Sequence, residues 1–173
     1  MKRILLTGLS GTGKSTLIAA LAARGYRAVD ADCDAYSTWA EPTSDPSAVG
    51  PPVEVGRDWV WREDRIQALL STEDTDVLFL GGCAENMGRF LPQFDHVVLL
   101  RAPAAVLVER LRTRTNNPYG KHPDEVARVR GQVETVEPLL RRAAGHEVDT
   151  NVPLAAVVAT VLRLARAPRH GMR

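Results

Sequence analysis

The apolar positions of this chain follow two patterns. Ile4-Leu5-Leu6, Val77-Leu78-Phe79-Leu80 and Val97-Val98-Leu99-Leu100 are short unbroken apolar runs, as expected of strands covered on both faces. They predict strands over 3–7, 76–80 and 96–100. A turn at Gly25 leads into a shorter strand at 26–30, and Glu147-Val148-Asp149 supplies a weak fifth. Between the strands, apolar residues recur at helical spacing. This predicts helices over 16–23, 57–70, 104–114, 123–144 and 154–165, with Pro103 at the first turn of the third and a bend near Pro138 in the fourth. Residues 40–56, with Pro42, Pro46, Pro51 and Pro52, read as a loop. Residues 115–120 have turn chemistry, and 168–173 are expected to be a disordered tail.

Strands alternating with helices imply an α/β fold of three layers, in which right-handed crossovers build a parallel sheet. Ligands in such sheets bind beyond the carboxyl ends of the strands, so the residues just after each strand carry the candidate chemistry. The 173 residues suit a single domain, taken as 1–167.

Directly after the first strand, Gly8 to Ser15 read GLSGTGKS, which fits G-x-x-x-x-G-K-[ST] between a strand and a helix, the phosphate-binding loop of nucleoside triphosphate sites. Its backbone N–H groups and the positive end of the following helix offer fixed partial charges to a dense anion. Gly8, Gly11 and Gly13 let the backbone approach that anion. Thr12 and Thr16 complete the cradle, Lys14 reaches the β- and γ-phosphates, and Ser15 is a ligand for Mg²⁺. The alternative is a glycine-rich helix start with a solvated lysine.

Three more clusters lie at the same edge. Asp30, Asp32 and Asp34 follow the second strand; if the chain stays extended they share one side, and their mutual repulsion asks for a cation or a substrate hydroxyl. An acidic turn is the plain alternative. Gly81 and Gly82 follow the third strand, where they either let a ligand approach or form an αL turn. Arg110, Arg112 and Arg114 precede Asn117 and Lys121. Arg110 and Arg114 can share a face and neutralise a transferring phosphoryl group from a mobile segment, whereas Arg112 points elsewhere. A basic helix end complementing its own dipole is the alternative.

Charge narrows the partners. With 22 Lys and Arg against 21 Asp and Glu, the net charge is +1, which gives no global reason to expect nucleic acid or an anionic membrane. A basic concentration between Arg101 and Arg142 still favours a local anionic pocket. Cys33 and Cys83 sit singly, without metal-ligand spacing, and suit a reduced cytoplasmic setting. No histidine group forms a metal constellation. The few apolar residues after Lys2-Arg3 are too few for a signal peptide, and no run has transmembrane length.

Together, the glycine loop, the paired aspartates, Gly81-Gly82, the arginine-rich segment and Asp149-Thr150 before a last helix resemble the P-loop small-molecule kinases: the shikimate, gluconate and adenylate kinase superfamily. The resemblance spans residues 1 to about 165. It implies a five-stranded parallel sheet of order 2-3-1-4-5, ATP over the glycine loop, an acceptor-binding insertion near 35–70 and a lid near 112–122. Asp32-Cys33-Asp34 matches the D-x-D of shikimate kinases, so Asp32 would help hold Mg²⁺ and Asp34 would bind or deprotonate the acceptor hydroxyl. Arg62 or Arg57 could match the acceptor-site arginine. Gly81 and Gly82 match part of a Gly-Gly-Gly in which Cys83 replaces the last glycine, and Asp149 and Thr150 would lie against the adenine. Trp59 and Trp61 depart from the shikimate pattern; an aromatic pair there could stack on a flat substrate, with core packing expected for at least one of them.

The expected activity is transfer of the ATP γ-phosphate to a hydroxyl of a small metabolite by a monomer or homodimer, with Lys14, Asp34, Arg110 and Arg114 as catalytic residues. A nucleoside or nucleoside monophosphate kinase is the neighbouring alternative. A non-catalytic ATP-binding module or slow NTPase switch is the alternative of another class.

Overall fold

The computed structural model describes residues 1–42 and 56–167. Most of the proline-rich loop, at 43–55, and the expected tail at 168–173 lie outside the described residues. In chain order the elements are β1 (Lys2–Thr7), α1 (Lys14–Ala22), β2 (Arg27–Asp30), β3 (Ser37–Ala40), β4 (Asp58–Trp61), α2 (Glu63–Ser71) and β5 (Val77–Gly81). A 3-10 helix (Glu85–Gln93), β6 (His96–Arg101), α3 (Ala104–Thr113), α4 (Pro123–Thr135), α5 (Glu137–Ala143), β7 (His146–Asp149) and α6 (Leu154–Arg166) follow.

Five strands form one parallel sheet in the order β2-β5-β1-β6-β7, the expected 2-3-1-4-5 once the β3–β4 hairpin is set aside. The central strand explains the unbroken apolar runs. Ile4, Leu5 and Leu6 are all fully buried, but period-2 alternation sends Ile4 and Leu6 to one face and Leu5 to the other. On the first face they join Phe79, Val98 and Leu100 under Leu17, Ile18 and Leu21 of α1 and Val157, Val158 and Val161 of α6. On the second face Leu5, Leu78, Leu80 and Leu99 meet Ile66 of α2, Met87 and Phe90 of the 3-10 helix, Leu107 of α3 and Leu140 of α5. Those are the three layers, and all parallel strands run toward the edge where the glycine loop sits.

Two predicted helices come out differently. Residues 58–61 are a strand, antiparallel to β3 with Trp39 opposite Trp59 and Ser37 opposite Trp61, and the helix begins only at Glu63. Trp59-Val60-Trp61 is aromatic and β-branched with period 2, which suits a pleated surface, and its partner strand lies far back along the chain. Glu63 and Asp64 favour a helix start just there, against the positive end of the dipole. The long helix at 123–144 is two: α4 ends at Thr135 and α5 restarts with Pro138 in its first turn, where a missing N–H costs nothing.

Candidate active site

The glycine loop connects β1 to α1 by conformations that side chains resist. Gly8 has φ +151°, and a Cβ there would sit 2.4 Å from the Leu100 carbonyl oxygen; Gly11 and Gly13 lie at φ +85° and +94°. Thr12 is fully buried and its Oγ1 donates to the Leu9 carbonyl at 2.8 Å, bracing the loop from within. Lys14 folds back over it and donates to the Gly8 and Leu9 carbonyls at 2.7 and 3.2 Å. No side chain caps the start of α1, and Gly13 to Thr16 at that terminus line the cavity.

The aspartates do not share one side. Backbone bonds from Tyr36 and Ser37 to the Cys33 carbonyl turn the chain immediately after Asp32, which ends the alternation on which a common face depended. Asp30 accepts from Ser15 Oγ at 2.5 Å. Asp32 lies 3.8 Å from Lys14 Nζ and accepts from the Cys83 N–H and the Trp59 indole. Burial pushes its carboxyl above the ordinary value, with Lys14 only partly offsetting the cost. Asp34 is exposed, stands outside the cavity wall, and lends its carbonyl to Arg62 Nε at 3.1 Å. The structure therefore brings Asp34 and Arg62 together, but beside the site, correcting the expected one-sided acidic cluster.

Gly81 and Gly82 are also corrected. Neither has a positive φ, so the αL turn is absent. A Cβ on Gly81 would sit 2.7 Å from Ile18 Cγ1, and one on Gly82 would sit 3.1 Å from Trp61 Nε1. Packing against these two side chains, rather than ligand approach, explains the glycines. Cys83 follows them into the cavity wall, its thiol pushed up to about 11 by burial, so it is a neutral surface there. Trp61 is buried against Phe90; the aromatic pair at the cavity is Trp39 with Trp59, ring centroids 4.9 Å apart.

The arginines divide. Arg110 donates to the Thr150 carbonyl at 2.6 Å, the Thr150 hydroxyl at 3.0 Å and the Gly11 carbonyl at 3.2 Å, clasping the glycine loop to the β7–α6 connection. Three of its five N–H donors are thereby held by protein acceptors, so here Arg110 braces the loop that was expected to receive phosphate. Arg114 also lines the cavity; one of its terminal nitrogens donates to the Tyr119 carbonyl, while its buried Nε has no partner. Arg112 pairs with Glu109 on the surface. Lys121 caps the carbonyl end of α3 through Leu111, Arg112 and Arg114. Asp149 is exposed and bonds the Asn151 N–H, leaving Thr150, with the apolar Val152 and Leu154, at the cavity.

One cavity of about 720 Å³ joins these groups, from the Thr150 side past the glycine loop to the tryptophan pair. A parallel sheet in this order, with a glycine loop at its carboxyl edge and a lysine folded over it, defines a P-loop nucleotide-binding protein. The family model described as an AAA domain matches residues 4–131. Shikimate kinase 2 of Serratia proteamaculans is 30% identical over 159 residues, covering 84% of this chain and 85% of that protein. The shikimate kinase of Acinetobacter baumannii, solved in complex with shikimate, superposes with a TM-score of 0.63 at 24% identity, covering 95% of this chain and 92% of that one. A gluconokinase of Sinorhizobium meliloti 1021 superposes at 0.56 and 23%, with 95% and 93% covered; both structures show the shared fold. The chain belongs to the P-loop small-molecule kinase superfamily. Among the described residues no helix is long and apolar enough to cross a membrane.

Proposed function

We propose that this protein transfers the γ-phosphate of ATP to a hydroxyl of a small metabolite. The observation that carries the reading is the continuity of one cavity. It runs from the uncapped start of α1 past Lys14 and Asp32 to a separate wall at Trp39 and Trp59, and its volume is ordinary for small-molecule sites. Triphosphate would lie on the N–H groups of Gly11 to Thr16, with Lys14 swung from the loop carbonyls onto the β- and γ-oxygens. The base would rest against Val152 and Leu154, beside the Arg110–Thr150 clasp. Residues 35–70 would serve as the acceptor side and 112–122 as the lid.

The donor set fits Mg²⁺. Ser15, Asp30 and Asp32 offer one hydroxyl and two carboxylates, enough for an ion that keeps waters and shares phosphate oxygens. When bound, the ion would neutralise developing charge on the phosphates. Asp32, between Lys14 and the aromatic wall, is the carboxylate we assign to orient the acceptor hydroxyl. Arg114, which lines the cavity near the glycine loop, is the residue we assign to the transferring phosphoryl group.

The test is ADP release above the water-only background across a metabolite panel, repeated with Lys14→Ala. That variant should fold and lose about two orders of magnitude in turnover, the scale of one preorganised charge contact. ATP hydrolysis that no acceptor stimulates would favour the NTPase switch instead.

A further inference from the structure

We infer that the phosphoryl acceptor carries a flat aromatic or heteroaromatic ring, received by Trp39 and Trp59; this rests on the kinase reading above. The β3–β4 hairpin presents Ser37, Trp39, Trp59 and Trp61 on one face, since cross-strand partners share a side. At its inner end that face is structural, with Trp61 buried beside Gly82 and Phe90. At its outer end the same face arches over the cavity. There Trp39 lines the cavity and keeps 36% of its surface exposed, which leaves ring surface for a ligand.

Two contacts hold the pair ready. The Arg57 guanidinium lies 4.4 Å from the centre of the Trp39 ring, and the Trp59 indole N–H is tied to Asp32. A ring placed against Trp39 and Trp59 would therefore carry its hydroxyl, or a hydroxyl on its substituent, to the carboxylate that faces Lys14. Aromatic walls discriminate by chemistry. A flat ring gains apolar burial and edge or face contact there, whereas a polyol would surrender hydration to surfaces with few donors and acceptors. At this end Trp39, Trp59 and Cys83 are uncharged, and the charged groups beside them are Asp32, its neighbour Lys14 and the Arg57 guanidinium on the Trp39 ring.

The experiment uses the full chain with Mg²⁺. Tryptophan fluorescence is titrated with pyridoxine, 4-hydroxybenzyl alcohol and thymidine as planar probes, and with shikimate and gluconate as polyols, in the presence of ADP. ATP turnover is measured on the same panel. Expected are saturable quenching by at least one planar probe, phosphorylation of that probe, and neither from the polyols. Trp39→Ala should raise the KM for the planar acceptor about tenfold, the scale of one aromatic contact, with the KM for ATP within twofold; Trp39→Phe should recover most of the loss. Transfer to shikimate or gluconate alone, no saturable quenching by any planar probe, or an acceptor KM indifferent to Trp39→Ala would each overturn the inference. Failure of the kinase reading looks different, because ADP release would then ignore every acceptor.

Discussion

Ser15 and Asp30 meet across the mouth of the glycine loop, Oγ to Oδ2 at 2.5 Å. The hydroxyl expected to hold the metal is thereby oriented by the last residue of β2. Removing the charge of Asp30 should loosen the metal while the fold stays intact. Asp30→Asn is expected to raise the Mg²⁺ concentration for half-maximal turnover about tenfold or more, as partners of metal ligands do. Titrating Mg²⁺ at saturating ATP checks this, and an unchanged midpoint would remove Asp30 from the metal set.

Asp32 and Asp34 separate by position. Asp32→Asn should abolish most transfer, whereas Asp34→Asn, with its exposed side chain, should retain activity within a few-fold. Stability should move the other way. A carboxyl whose pKa is raised on folding costs stability once pH exceeds its unfolded value near 3.8. Asp32→Asn should therefore melt above wild type at pH 7, with the difference closing as pH falls toward that value. Thermal unfolding at pH 7 and below pH 4 would show it; a lower melting temperature at pH 7 would mean that Lys14 pairing outweighs burial.

Arg110 and Arg114 should fail in different ways. Arg110→Ala unclasps Thr150 from Gly11, so the KM for ATP should rise severalfold and the melting temperature should fall. Arg114→Ala should lower kcat by about a hundredfold with ATP affinity little changed, because its contact strengthens only in the transition state. Steady-state kinetics on both variants would expose a reversal of these roles.

Gly120 is held in place within the expected lid. At φ +89° a Cβ would lie 2.7 Å from Leu111 Cβ, and its N–H donates to Glu125 Oε2 at 2.8 Å. Gly120→Ala should cost about 2–4 kcal/mol, combining an unfavourable left-handed backbone with overpacking. Denaturant unfolding measures that cost. Any closure over nucleotide should then appear as hydrogen-exchange protection at 113–119, with 120–122 protected already.

The sequence by itself determined what depends on neighbours along the chain. GLSGTGKS is one contiguous cradle, and the short apolar runs at 4–6, 77–80 and 97–100 suit strands buried on both faces, which is what they form. Sheet order and the phosphate end followed from those local facts and the resemblance. Tertiary structure decided what depends on distant pairing. The hairpin joins Ser37–Ala40 to Asp58–Trp61 across the proline-rich stretch, so Trp59-Val60-Trp61 read as helix until its partner strand was present. The turn at Cys33 parted Asp34 from Asp32, and the Thr150 carbonyl, forty residues on, claimed Arg110. Spacing fixes which side chains one element can present, but only the packed fold decides which acceptor each finds first.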